Sequence, residues 1–265
     1  MDTQIENSEM IHPTAIVHPK AKLGKGTRVG PYSIIGCDVS TGENCDIQEH
    51  VVLRGRVNLG NDCKVFPFAV IGGEPQHLGY KNEPTEVFIG DRVVLRESVT
   101  VHRGTVVGGG MTRIGNDCLI MAYTHVGHDC VVGNKVIIVN SVQLAGHVFV
   151  DDFVTIGGQS EVVQYCRIGK YCYIAGGSTI RKDIPPYLTG KGNEFMVQGI
   201  NKIGMERAGL SSERISTIKQ IYKMFYMQKL TVSQAIEKIA MEFPNSEDAN
   251  NFLGFIKSTK AGIHR

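Results

Sequence analysis

At 265 residues the chain has room for one large or two modest domains, and its 31 glycines, about 12 % against a usual ~7 %, imply many turns. A net charge of +2 is too small to argue for nucleic acid, and no apolar run approaches the ~18 residues of a membrane span. The polar opening, Met1 to Met10, carries no apolar secretory core, so a soluble cytoplasmic protein is expected.

From the N-terminus onward, aliphatic residues recur at every sixth position: Ile11, Val17, Leu23, Val29, Ile35, Ile47, Leu53, Leu59, Val65 and Ile71, then Ile89, Leu95 and Val101. Thr41 is the one break before Ile71, and the phase slips by one residue between Val101 and Ile114. From Ile114 to Ile180 the series then runs twelve times without a miss. Neither a helix (~3.6) nor an isolated strand (~2) has a period of six. A hexapeptide repeat instead predicts a parallel β-solenoid, with three units closing one coil and residues 18 apart stacked at ~4.8 Å. Small residues four positions after each aliphatic (Ala15, Ser33, Ala69, Thr124, Ser160) suit tight corners. Glycine often follows the aliphatic directly, as at Gly24, Gly30, Gly60, Gly115, Gly133 and Gly169, and is read as answering a need for unusual φ/ψ.

Two stretches cannot be coils. Residues 73–86 carry Pro75, Gly79 and Pro84, and residues 103–113 carry Gly104 and Gly108-Gly109-Gly110. Both read as excursion loops on a binding face. Six of the seven cysteines (Cys45, Cys63, Cys118, Cys130, Cys166, Cys172) occupy the small-residue slot and are read as packed hydrophobes; no CxxC occurs.

The Pro185-Pro186 pair predicts the end of the ladder, which divides the chain into a solenoid (1–190) and a small C-terminal helical domain (191–265). Helices are expected from Ser211, from a capping box at Thr231 to Gln234, and over Asp248 to Ser258. Lys219, Lys223, Lys229 and Lys238 fall on solvated faces, where they also suit an acidic partner.

The chemistry concentrates in Thr124-His125-Val126-Gly127-His128-Asp129-Cys130 and Leu144-Ala145-Gly146-His147. His128 and Gly146 are 18 apart, one coil, so an imidazole, a bare backbone N–H and a second imidazole should surround one point, with Asp129 placed to orient His128. A neutral histidine accepts a hydroxyl proton near neutral pH, and an N–H stabilises a tetrahedral oxyanion. With no Ser or Cys nucleophile paired to these histidines, direct acyl transfer to a substrate hydroxyl fits; a three-histidine metal site, as in solenoid-type carbonic anhydrases, is the alternative.

At these residues the chain resembles the UDP-N-acetylglucosamine acyltransferases of lipid A synthesis. The matching segments include Ile11-His-Pro-Thr-Ala-Ile16, His102-Arg-Gly-Thr105, His125-Val-Gly-His-Asp-Cys130, Leu144-Ala-Gly-His147, Asp183-Ile-Pro-Pro-Tyr187 and Arg207-Ala-Gly209. The resemblance implies a left-handed β-helix, against the usual right-handed crossover, assembled as a homotrimer with sites between subunits. It also implies transfer of a 3-hydroxyacyl chain from acyl carrier protein to the 3-hydroxyl of UDP-N-acetylglucosamine, without cofactor or metal. By motif match His128 is the base, Asp129 its partner and Gly146 the oxyanion donor. His125, His147, Gln164, Asn201 and Arg207 contact the nucleotide sugar, and Gly176 sets acyl length, with Tyr173 and Glu194 entering the same groove. The resemblance also places His77 and Gly79 near the sugar, but the chain departs from the family pattern there, where the usual Gln-Asp-Leu-Lys-Tyr reads Gln76-His77-Leu78-Gly79-Tyr80, and at Val163 and Ile203. Those changes leave a 3-amino analogue of the sugar open as acceptor.

Overall fold

The structure, a computed structural model, describes residues 10–265; the polar segment before Met10 lies outside them. Short strands, most of two residues, form the three faces of a left-handed prism, face I of nine strands, face II of seven and face III of ten, all parallel but the last of face III. Away from the two excursions the register repeats every 18 residues, as in His125 opposite Gln143 and Val126 opposite Leu144. Each inward aliphatic of the unbroken series is at most 2 % exposed, so the axis is filled by stacked side chains of one class. At the open end Ile11 is 41 % exposed, because no coil lies beneath it among the described residues.

The six slot cysteines are buried free thiols, and Cys37 alone is exposed. Burial pushes Cys130 and Cys172 up to about 12 and Cys118 and Cys166 up to about 11, so at neutral pH these are inert packing groups.

The glycines after the aliphatics turn out to serve another purpose than unusual φ. None of Gly24, Gly30, Gly60, Gly115, Gly133 and Gly169 has a positive φ; the left-handed residue comes two positions later and is usually not glycine (Tyr32, Asp62, Asp117, Lys135, Tyr171). What forbids a side chain is the next coil: a Cβ at Gly115 would lie 2.6 Å from the Gly133 carbonyl oxygen, and one at Gly30 2.7 Å from the Gln48 carbonyl carbon. Along the corner between faces II and III, an Asn/Asp ladder occupies backbone donors that the coil leaves free. Asn61 N donates to Asp91 (2.7 Å), Asp91 N to Asn116 (2.8 Å), Asn116 N to Asn134 (2.9 Å) and Asn134 N to Asp152 (2.6 Å).

The proline pair does not end the ladder. Ile184 still bridges Ile168, the prolines turn a corner, and Leu188–Lys191 pairs in parallel with Tyr173–Ile174. That strand then forms an antiparallel hairpin with Met196–Ile200, straddling residue 190. Helices α1 (Lys202–Arg207), α2 (Ser212–Tyr222), α3 (Val232–Glu242) and α4 (Glu247–Lys257) follow, with a π-helical turn at Lys223–Met227. Thr231 and Gln234 form the expected capping box. The helices are clasped to the rod: Tyr187 OH donates to Asp248 (2.9 Å), which Arg214 grips at 2.8 and 2.9 Å. Ile263 bridges Asp183, whose buried carboxylate accepts the Thr259 hydroxyl at 2.7 Å.

Candidate active site

Successive coils place Gly127-His128-Asp129, Ala145-Gly146-His147 and Val163-Gln164-Tyr165 one above another at the corner between faces I and II. His147 N donates to the His128 carbonyl at 2.9 Å, which locks the first two together. A Cβ on Gly146 would sit 2.5 Å from His128 Cε1, so only bare backbone fits beside the ring. Ala145 and His147 donate their N–H groups to Val162 and His128, whereas the Gly146 N–H has no acceptor among the described residues. His128 Nδ1 lies 2.8 Å from Asp129 Oδ2, with the two side chains 6 % and 0 % exposed. Asp129 adopts φ 61°, a left-handed conformation that a short acid tolerates better than most residues.

Other imidazoles surround this pair. His147 Nε2 is 3.7 Å from Asp129 Oδ2, and its ring stands edge-on to His128 (5.0 Å) and stacks on Tyr165 (4.5 Å). Burial holds His147 below the ordinary histidine range, with Asp129 opposing. His125 Nδ1 is 2.8 Å from Thr100 Oγ1, and burial with the nearby His128 lowers its affinity for a proton. His102, edge-on to His125 at 4.7 Å, is pushed down to about 4, chiefly by burial, and its buried Nδ1 has no partner among the described residues. Sequence reasoning quoted His102 within a motif without assigning it a role, although it follows an inward aliphatic by one residue, as Gly127 does.

Both excursions converge here. The first leaves face I after Val70–Gly73 and returns at Glu86, setting His77 5.4 Å from His128. Arg103 ties down its base and tip, donating to the Gly72 carbonyl and the Tyr80 hydroxyl, each at 2.8 Å. The second excursion makes a short turn, Val106–Gly108, against Asp129. Beside the first excursion a cleft of about 430 Å³ opens along face I and its corner, lined by Gln76, His102, His125, His128, Gly146 and Gln164 among others.

Residues 183–264 match the family model described as UDP-N-acetylglucosamine O-acyltransferase, domain 2, and residues 111–146 match the bacterial transferase hexapeptide model. Acyl-[acyl-carrier-protein]–UDP-N-acetylglucosamine O-acyltransferases from an Anaeromyxobacter species and from Halorhodospira halophila are each 45 % identical over 96 % of this chain and 99 % of their own length. The chain belongs to the UDP-N-acetylglucosamine O-acyltransferase family. Solved UDP-N-acetylglucosamine acyltransferases superpose accordingly. The Francisella novicida structure gives a TM-score of 0.94 at 37 % identity, covering 97 % of this chain and 94 % of that one. The Bacteroides fragilis structure gives 0.92 at 38 %, covering 97 % and 100 %.

In this member of the O-acyltransferase family, the expected site residues fall into two groups. His77, His125, His128, Asp129, Gly146, His147 and Gln164 cluster at the corner between faces I and II, with Gly79 beside His77, whose Nδ1 accepts the Gly79 N–H at 3.1 Å. The others lie elsewhere. Gly176 is at the corner between faces III and I, Tyr173 projects from face III, and Glu194 sits in the hairpin turn. Asn201 caps α1, accepting the Gly204 N–H at 3.0 Å, and donates to the Tyr171 carbonyl at 2.8 Å, at the corner between faces II and III; Arg207 is exposed in the last turn of α1. One chain therefore does not bring the acyl-length set to the histidines.

His128, Asp129 and His147 offer donor atoms within 4.8 Å of one another, close enough for a metal ion by spacing. The chemistry of the set argues otherwise: both Asp129 oxygens already accept hydrogen bonds, from Thr105 and His128, and His125 is engaged with Thr100.

Proposed function

We propose that this O-acyltransferase moves a 3-hydroxyacyl chain from acyl carrier protein to the 3-hydroxyl of UDP-N-acetylglucosamine, as the names of its relatives suggest for acyl donor and sugar acceptor. One observation carries the mechanism: Gly146 lies one coil from His128 with its Cα against that ring, and its backbone N–H has no acceptor among the described residues. The sugar hydroxyl gives its proton to His128 Nε2 while its oxygen attacks the thioester carbon. Gly146 N–H stabilises the oxyanion, and collapse expels the carrier thiolate, which takes the proton back from His128. Asp129 holds His128 Nδ1–H and offsets the imidazolium charge. No protein nucleophile is needed. Burial keeps His125 and His147 neutral near pH 7, suited to hydrogen-bonding the sugar nucleotide with Gln164, His77 and Gly79 nearby.

The proposal includes a homotrimer. The histidine corner and the Gly176 corner bound opposite edges of face I. Three copies packing face I about a threefold axis would lay one copy's Gly176 corner along its neighbour's His128 corner, and would deliver Asn201 and Arg207 from another copy. Apolar side chains exposed there support such packing: Ile16 (65 %) and Ile34 (43 %) on face I, Tyr32 (60 %) and Phe68 (59 %) on the Gly176 corner. In the assembled groove Gly176, Tyr173 and Glu194 set acyl length.

The test is His128→Ala, assayed with acyl carrier protein thioesters and UDP-N-acetylglucosamine. Turnover should fall about 10²–10⁴-fold with little change in KM. Near-normal turnover of folded variant would overturn the base assignment, and an acyl-protein trapped on the normal time course would overturn direct transfer.

A further inference from the structure

Thr105 belongs to neither the histidine motif nor the repeat, yet it holds the partner of the proposed base by two bonds. Its backbone N–H donates to Asp129 Oδ1 at 2.7 Å and its hydroxyl to Oδ2 at 2.7 Å. A carboxylate only accepts, so the hydroxyl proton must point at Asp129. The Gly108 N–H, 3.2 Å from Thr105 Oγ1, completes the order by filling an acceptor site on that oxygen. Asp129 Oδ2 is then left to accept the Nδ1–H of His128 at 2.8 Å. From the other side Thr112 Oγ1 accepts the Asp129 N–H at 2.8 Å, so acid and backbone are both pinned. Gly108 serves the same end: a Cβ there would land on the Asp129 carboxyl group, while one on Gly104 would strike the Met111 and Gly110 backbone first and Oδ1 at 2.8 Å.

We propose that Thr105 is a positioning residue that sets the tautomer and the basicity of His128. The proposal rests on His128 being the general base. Terminal carboxylate torsions are soft, and a carboxylate gripped at one oxygen only would rotate. Gripped at both by Thr105, it presents Oδ2 to Nδ1, which keeps the proton there and leaves the Nε2 lone pair facing the cleft. The hydroxyl also withdraws electron density from Oδ2. Without it Asp129 would stabilise the imidazolium more strongly, and the base would stay protonated to higher pH.

The experiment compares Thr105→Val, which keeps shape and backbone N–H but removes the hydroxyl, with Thr105→Ser, which restores it. In Thr105→Val, kcat at neutral pH should drop about 10–100-fold, within the loss that misplacing a reacting group by about 1 Å can cause. KM should hold, and the acid limb of the pH profile should move to higher pH. Thr105→Ser should recover both rate and limb. A purely structural role would lower the active fraction without moving the limb. The proposal is overturned if Thr105→Val keeps the wild-type limb, or if Thr105→Ser fails to restore it. His128→Ala in the same series separates the readings: its inactivity beside an unmoved limb in Thr105→Val would sink the Thr105 assignment alone, whereas its activity would sink the base.

Discussion

The unbroken coils from Ile114 to Ile180 and the two excursions, 73–86 and 103–113, obey opposite rules. In the coils every position is set by its neighbour one coil away, so an aliphatic, a bare glycine or a small corner residue recurs because the geometry recurs. In the excursions no geometry recurs, and each residue answers to its own particular partners: Thr105 to Asp129, Arg103 to Gly72 and Tyr80, Gly108 to a carboxylate. Stability is thus distributed along the rod, while the chemistry depends on a few contacts that the rod merely supports.

Four measurements sharpen that contrast, beginning with the largest effect. Ile138→Ala empties a wholly buried axial position. It should cost about 2–5 kcal/mol by urea denaturation while sparing kcat in the surviving folded enzyme. A cost below ~1 kcal/mol would contradict a close-packed axis. Next, Gly108→Ala should leave the rod intact but lower turnover about 100-fold by pushing on Asp129. Gly115→Ala, whose Cβ meets the next coil instead, should lose about 1–3 kcal/mol of stability and keep its pH profile. Equal behaviour of the two glycines would erase the distinction between coil and excursion.

A smaller effect is expected at the altered loop. A Cβ on Gly79 would meet His77 Cε1 at 3.0 Å, so Gly79→Lys both adds a cation and shifts His77 beside His128. The preference between the 3-hydroxy sugar and its 3-amino analogue should change; unchanged preference with full activity would remove this loop from acceptor selection. The smallest effect concerns pH. His102 sits at about 4 when folded against ~6.5 unfolded. Its neutral form therefore stabilises the fold fully above pH ~6.5, and that contribution fades as pH falls towards 4. Between pH 7 and 5, the urea midpoint of wild type should drop more than that of His102→Gln. Parallel drops would show that His102 is not held neutral by burial.

The coil period, the stacking of His128 on Gly146 and the capping box at Thr231 were all legible, because each is a spacing and spacing survives in one dimension. Two local rules misled. Glycine after the aliphatic suggested unusual φ, but the strain falls two residues later and the glycine makes room for the next coil. Pro185-Pro186 suggested a stop, yet prolines placed at a corner donate nothing the ladder needs, and pairing resumes at Leu188.

What the sequence alone determined was the rod, its period and the corner where histidines meet, since a six-residue repeat admits one way of burying its aliphatics. It left undecided what the excursions touch. That Gly104 and Gly108 wrap Asp129, that Thr105 grips both its oxygens, and that His77 reaches His128 from a distant part of the chain follow from where non-repeating loops land. Nor did it place Gly176 on the far edge of face I from His128. Such contacts join residues with no fixed separation, so only the folded chain, with the prism already built, brings them within hydrogen-bonding distance.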